Sequence, residues 1–205
     1  MSLFSAVEMA PRDPILGLNE QFAADTNPKK VNLGVGVYFD DKGKLPLLAC
    51  VQAAEKALMD KAASRGYLPI DGIAAYDSAV KVLVFGAESA AVQEGRIATV
   101  QALGGTGGLK IGADFLKKIN PEAQVLISDP SWENHRALFT NAGFKVQTYA
   151  YYDAGKRGVN FDGMLASLNA AAPGTIVVLH ACCHNPTGYD ITPAQWDQVI
   201  EVIKA

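Results

Sequence analysis

Apolar positions in the second half of the chain follow two alternating rhythms. Short runs at 97–101, 124–128, 145–150 and 175–180 are each followed by a longer stretch with apolar residues three and four apart, at 109–119, 132–141, 161–171 and from Pro193 onward. The short runs fit buried strands and the long stretches fit amphipathic helices. Alternating units of this length predict an α/β fold whose sheet is mostly parallel, with helices on both faces. Upstream, Leu48, Val51, Ala54 and Leu58 predict a helix over 47–65, closed by Gly66 in a left-handed conformation. A second helix is expected from near Asp71 to just before Gly86, with Ala75, Ala79 and Val82 on its inward face. The opening residues read differently, because Pro11, Pro14, Asn19, Asn27 and Pro28 punctuate two short helix candidates before one apolar strand at 31–38. These boundaries divide the chain into an N-terminal arm at 1–13, part of a small domain at 14–46, and a large domain over 47–205.

Composition narrows the class. With 205 residues, 49% hydrophobic and 19% charged, the chain can bury a full domain core with an appendage, or is a piece of something larger, and is not a disordered tail. The net charge is −3 and the 18 basic residues are scattered, which gives no footprint for nucleic acid or an anionic membrane. The most apolar run, 176–183, is interrupted by His180 and falls short of the ~20 residues that a membrane helix needs. The first ten letters lack a secretory pattern and the cysteine count is odd, so a reduced, cytoplasmic setting is expected, with a small molecule as partner.

In sheets of this kind ligands lie at the carboxyl ends of the strands. After the first strand, Gly104-Gly-Thr-Gly-Gly108 leads into a helix, where backbone N–H groups could close on a phosphate or simply form a tight turn. No Gly-Lys-Ser/Thr follows, which excludes a triphosphate loop. Lys110 replaces the last glycine of the dinucleotide fingerprint, yet Asp129 imitates its ribose-binding acid, so half of a nicotinamide-dependent dehydrogenase stays as an alternative. After the second strand, Trp132 could stack on a planar ring or fill the rim of the core, and His135 lies on the same helical face. After the last strand, His180-Ala-Cys-Cys-His184 crowds potential metal ligands, but Cys50 and His135 are isolated and no second knuckle exists, so no metal is expected. Cys182 and Cys183 continue an apolar strand, with nothing to activate either thiol. Asn185-Pro-Thr-Gly188 is a turn: Pro186 permits a cis bond, Gly188 permits positive φ, and the Asn185 amide could both donate and accept.

Asn185-Pro-Thr-Gly188 behind His-x-Cys-Cys-His, the Gly105-Thr-Gly loop, Ser131-Trp132 and Tyr67-Leu-Pro-Ile-Asp-Gly72 together resemble the aspartate and aromatic amino-acid aminotransferases, over essentially the whole chain. The resemblance implies the type I fold of pyridoxal-phosphate-dependent transferases, so that 47–205 is a truncated cofactor-binding domain. It implies that Gly105 and Thr106 cradle the phosphate of pyridoxal 5'-phosphate, that Trp132 packs on its ring, and that Asn185 bonds the ring oxygen and the substrate carboxylate. By the same resemblance Gly36 offers an N–H to that carboxylate, His135 supports the partner of the ring nitrogen, and Tyr67 reaches the phosphate in the neighbouring subunit of a homodimer with shared active sites. It further implies cis peptides at Asp129-Pro130 and Asn185-Pro186.

The family's ring-nitrogen acid, its lysine and its arginines would all lie beyond Ala205, so no catalytic residue is assigned within this chain. The expectation is an N-terminal half, completed by a C-terminal half and inactive alone, from an enzyme that moves an amino group between aspartate or an aromatic amino acid and 2-oxoglutarate. Pro69, Glu133 and Asn134 lean towards the aromatic branch, and both branches stay open. A non-catalytic dimerisation module is a further alternative.

Overall fold

The computed structural model describes residues 4–9, 16–32, 34 and 36–205. Residues 1–3 and 10–13 of the expected arm, and Leu33 and Val35 of the expected strand, lie outside the described residues. Contacts gather the chain into two compact units, Met1–Gly66 and Tyr67–Ala205.

The first unit contains α1 (Leu16–Ala24) and α2 (Ala49–Lys61). The described positions of 31–38 join no ladder, against expectation, because no second strand is available among the described residues of this unit to accept their hydrogen bonds. Helix α2 also ends early. Ala62 takes φ 45° and ψ 40° and donates its N–H to the Met59 carbonyl, so the left-handed stop falls on Ala62 and not on Gly66. None of the α2 residues is buried, and Val51 and Leu58 face outward.

The second unit opens with α3 (Ala74–Phe85) and the short α4 (Ala90–Gln93). The turn before α3 is fixed by close approach: Gly72, at φ 101°, lies so near Gln101 that a Cβ would sit 2.3 Å from the Gln101 Cβ. Gln101 donates its backbone N–H to the Asp71 carbonyl at 2.9 Å, and its side-chain Oε1 accepts from the Ile73 N–H at 3.0 Å. The expected inward face of α3 is not inward, since Ala75, Ala79 and Val82 are exposed and the one buried residue is Asp77. Residues 97–101, expected as a strand, likewise pair with no other strand among the described residues.

From there the alternating pattern holds. The order is α5 (Gly104–Ile119), β1 (Gln124–Asp129), α6 (Glu133–Asn141), β2 (Lys145–Ala150), β3 (Tyr152–Asp153), β4 (Gly158–Val159), α7 (Phe161–Asn169), β5 (Ile176–Val177) and α8 (Pro193–Lys204). Strands β2, β1 and β5 form a parallel sheet in that spatial order, with Val125 paired to Val146 on one side and to Ile176 on the other. The expected strand at 175–180 keeps a ladder only over β5, extended by Val178 donating to the Leu126 carbonyl at 2.9 Å. The antiparallel pair of β3 and β4 has no counterpart in the sequence pattern, since each strand is two residues long.

Alternation along β1 builds two cores. Val125 and Ile127 pack with Ala113 of α5, Phe139 of α6 and Phe144. Leu126 faces the other way, joining Tyr149, Tyr151, Met164 and Leu168 of α7, Ile191, and Val199 of α8. Helix α8 starts with Pro193 behind a capping box, in which the Thr192 hydroxyl accepts from the Gln195 N–H and Gln195 Oε1 accepts from the Thr192 N–H.

Met164 is 1% exposed and Leu83 is 83% exposed. Met164→Ala is therefore expected to lower unfolding stability by about 2–5 kcal/mol, against ~0.5 kcal/mol or less for Leu83→Ala. Urea unfolding of both variants checks this, and equal losses would refute the assignment of the core.

Candidate functional site

Three strand ends meet in the second unit. At the end of β1, Ser128 is the fourth consecutive buried residue, and its hydroxyl would be orphaned in the core without a partner. His184 supplies it: Nε2 shares a hydrogen bond with the Ser128 hydroxyl at 2.9 Å, and Nδ1 shares one with the Thr187 hydroxyl at 2.8 Å. The His184 ring stacks on Tyr151 at 3.9 Å between centroids and 13° between planes. His184 is only 2% exposed.

Around this ring the chain folds into a tight loop. Asp190 accepts from two successive amides, the Cys183 N–H at 2.7 Å and the His184 N–H at 2.8 Å. Gly188, at φ 69°, donates to the His184 carbonyl at 2.7 Å, and the Tyr151 hydroxyl donates to the Tyr189 carbonyl at 2.7 Å. Asn185 stands exposed at the top of the loop. The peptides Asp129-Pro130 and Asn185-Pro186 are both cis, as the resemblance implies.

The histidines form a column. The Trp132 ring meets His135 edge-on at 5.3 Å, His135 meets His180 at 5.2 Å, and His180 meets His184 at 4.4 Å. His135 is buried and its Nδ1 shares a hydrogen bond with the Ser131 hydroxyl at 2.9 Å. Among the described residues, no partner reaches the buried Nδ1 of His180. Burial lowers the pKa of all three imidazoles, and proximity to His180 lowers those of His135 and His184 further. His184 falls to about 4, even though the Asp190 carboxylate opposes the shift. Asp190 is itself held low by the N–H groups of His184 and Cys183. Burial, with the nearby Asp190 charge, pushes the Tyr151 hydroxyl up to about 12. At neutral pH the column is uncharged.

The glycine-rich segment is not a loop before a helix but the start of the helix itself, since α5 begins at Gly104. Gly107 already donates to the Leu103 carbonyl at 3.1 Å, which leaves the amides of Gly105 and Thr106 in the first turn, where N–H groups have no partner inside the helix. Leu103 at the N-cap provides no side-chain acceptor and the first turn contains no acidic residue. With Lys117 and Lys118 in the last turn, the sixteen-residue helix presents its positive end unneutralised at Gly105 and Thr106.

The structure thus brings Trp132, His135 and the loop bearing Asn185 together, and sets Gly105 and Thr106 at the open end of α5. Tyr67 is fully exposed at 108%, and Gly36 belongs to the first unit. A cavity of about 590 Å³ has Asp129, Ser131, Trp132, Arg136 and Thr148 among its lining, and none of Gly105, Thr106 or Asn185. Among the described residues no group of three or more His, Cys, Asp or Glu side chains could hold a metal ion, and no helix is long and apolar enough to cross a membrane. Cys182 and Cys183 do not continue the strand as expected. They lie exposed in a bend, Cys183 at φ 53°, and the hydrogen bond with Cys182 raises the Cys183 thiol. The sequence motifs include Thr187 only as part of the turn and assign nothing to Ser128, Tyr151 or Asp190. The available signal was a hydroxyl at the last buried position of a strand, which demands a polar partner.

A model of the family "Aminotransferase class I and II" matches residues 28–205, and the chain belongs to that family. It is 65% identical over 205 residues to an aspartate aminotransferase of Pseudomonas aeruginosa, covering 100% of this chain and 52% of that protein. It is 47% identical over 204 residues to an aromatic-amino-acid aminotransferase of Escherichia coli, covering 99% of this chain and 51% of that one. The crystal structure of an aromatic-amino-acid aminotransferase from Burkholderia pseudomallei, covalently bound to pyridoxal phosphate, superposes with a TM-score of 0.95 at 69% identity, over 100% of this chain and 51% of that chain. The fold is therefore that of the type I pyridoxal-phosphate-dependent transferases, and the chain spans about half the length of the relatives it matches. The dehydrogenase and dimerisation-module alternatives find no support in these matches.

Because the native state keeps His184 neutral down to about pH 4 while an unfolded histidine takes a proton near 6.5, the unfolded chain binds more protons between those values. Stability is therefore expected to fall as pH drops through that window, and to fall less steeply in His184→Phe. Urea midpoints between pH 4.5 and 7.5 check this, and parallel slopes for wild type and variant would refute it.

Proposed function

We infer that this chain is the N-terminal half of a pyridoxal-phosphate-dependent aminotransferase acting on aspartate or an aromatic amino acid with 2-oxoglutarate. What carries the reading is the uncapped, positively polarised start of α5 at Gly105 and Thr106, in a chain whose whole length follows the fold of such an enzyme. The residues present fit a planar, phosphate-bearing group: free amides for a dianion, a half-buried indole at the N-terminus of α6, and an exposed carboxamide on a braced turn.

Bound pyridoxal phosphate supplies an electron-withdrawing ring that stabilises the charge left when a proton leaves the α-carbon of the amino acid. The chain's own residues do the holding. Gly105 and Thr106 would donate N–H groups to the phosphate, Trp132 would pack on the ring, and Asn185 would bond the ring oxygen and the substrate carboxylate. His135, fixed by Ser131, supports the residue that pairs with the ring nitrogen. By the family resemblance, the Gly36 N–H would be offered to the substrate carboxylate. Tyr67, with its side chain fully exposed, is available to the phosphate of a neighbouring subunit in a homodimer with shared sites. The lysine that bonds the cofactor, the acid at the ring nitrogen and the carboxylate-binding arginines belong to the C-terminal half, and the enzyme works in the cytoplasm.

Steady-state rates with aspartate and with phenylalanine on the intact holoenzyme test the substrate assignment, and no turnover of either would reject it. The 205-residue chain alone is expected to show no transamination. Full activity in a preparation whose intact mass shows only 21.7 kDa would overturn that expectation.

A further inference from the structure

We propose that Asp190 and His184 are positioning residues whose bonds set the turn that presents Asn185 to the cofactor and substrate. The inference rests on the role given to Asn185 above, and on contacts that surround Asn185 without touching its side chain.

Asn185 is exposed and its neighbours carry the hydrogen bonds. On its N-terminal side, the two oxygens of Asp190 take the N–H groups of Cys183 and His184, at 2.7 and 2.8 Å, which holds Cys183 at φ 53°. A non-glycine residue in the left-handed region costs of order 1 kcal/mol or more, so this conformation needs an outside brace, and a carboxylate that accepts twice provides it. On the C-terminal side, the His184 carbonyl takes the Gly188 N–H and the His184 ring holds the Thr187 hydroxyl. The same ring reaches across to Ser128 at the end of β1 and lies flat on Tyr151. One imidazole therefore ties the two ends of the turn to the central strand, and one carboxylate fixes the backbone at its entrance.

The ionisable groups near this clasp are His180 and His135 from the histidine column, Tyr151 beneath the ring, Tyr149 hydrogen-bonded to Ser128, and Cys182 beside Cys183. None of them makes both of the backbone contacts that Asp190 makes. In Asp190→Asn the side-chain carbonyl can accept one amide while its NH₂ faces the other N–H, so one brace is lost with little change in volume.

The experiment is a double-mutant cycle in the holoenzyme, with the Kd for pyridoxal phosphate read by absorbance and amide hydrogen exchange read alongside. Asp190→Asn and Asn185→Ala are each expected to weaken cofactor binding about tenfold, and the double variant to be no weaker than Asn185→Ala alone. Exchange at the Cys183 and His184 amides should quicken in Asp190→Asn while that of Val125, Leu126 and Ile127 in β1 stays unchanged, which separates a local brace from global destabilisation. His184→Phe keeps the flat ring and removes both nitrogens, and its effect on Kd should likewise vanish in the Asn185→Ala background. Additive losses in either double variant, about a hundredfold together, would overturn the proposal, as would unchanged Kd in Asp190→Asn when Asn185→Ala weakens binding. Unchanged Kd in Asn185→Ala itself would remove the role given to Asn185, and this proposal with it.

Discussion

Strand β1 is buried on both faces, and that burial organises the second unit. Four successive residues, Val125 to Ser128, are out of water, which demands helices on each side and fixes the direction of every side chain along the strand. The first three are apolar and need only volume. Ser128 needs a hydrogen bond, because a buried hydroxyl left alone costs about 1–3 kcal/mol. His184 meets that need from a different strand end, so the end of the sheet and the turn after β5 are joined by a requirement of the core. The site sits where packing has already forced two loops together.

The two kinds of polar anchor in this region work differently. Around His184 every hydrogen-bonding atom is used, and the imidazole stays neutral because burial and a neighbouring histidine oppose a second proton. At the start of α5 the reverse holds: the amides of Gly105 and Thr106 lack internal partners and the helix offers no acid to neutralise them. The closed network gives rigidity and the open helix end gives attraction for an anion.

Much of this could be read from the letters, for identifiable reasons. Strand β2 and helices α5 to α8 appear near their expected places because their apolar spacing is decided by two adjacent layers that the chain itself supplies. The described residues of 31–38, residues 97–101 and the outer part of 175–180 were expected as strands and pair little or not at all, since a ladder depends on a neighbour and no local pattern reveals whether one is present. The same logic explains why Ala75, Ala79 and Val82 are exposed: helical spacing marks a face and does not supply what covers it. At the site, Trp132, His135, Asn185, Gly105 and Thr106 carry familiar chemistry in short motifs. Ser128, Tyr151 and Asp190 do not, because their importance comes from contacts across 56, 38 and 6 residues of sequence that only folding creates.

The histidine column has a practical consequence. The sequence contains three histidines and all three stand in that one column. Their ring-proton resonances would therefore report on a single place in the molecule, with no background from elsewhere in the chain. A small molecule arriving beside Trp132, or a disturbance of the turn after β5, would be visible in the spectrum without any label being introduced.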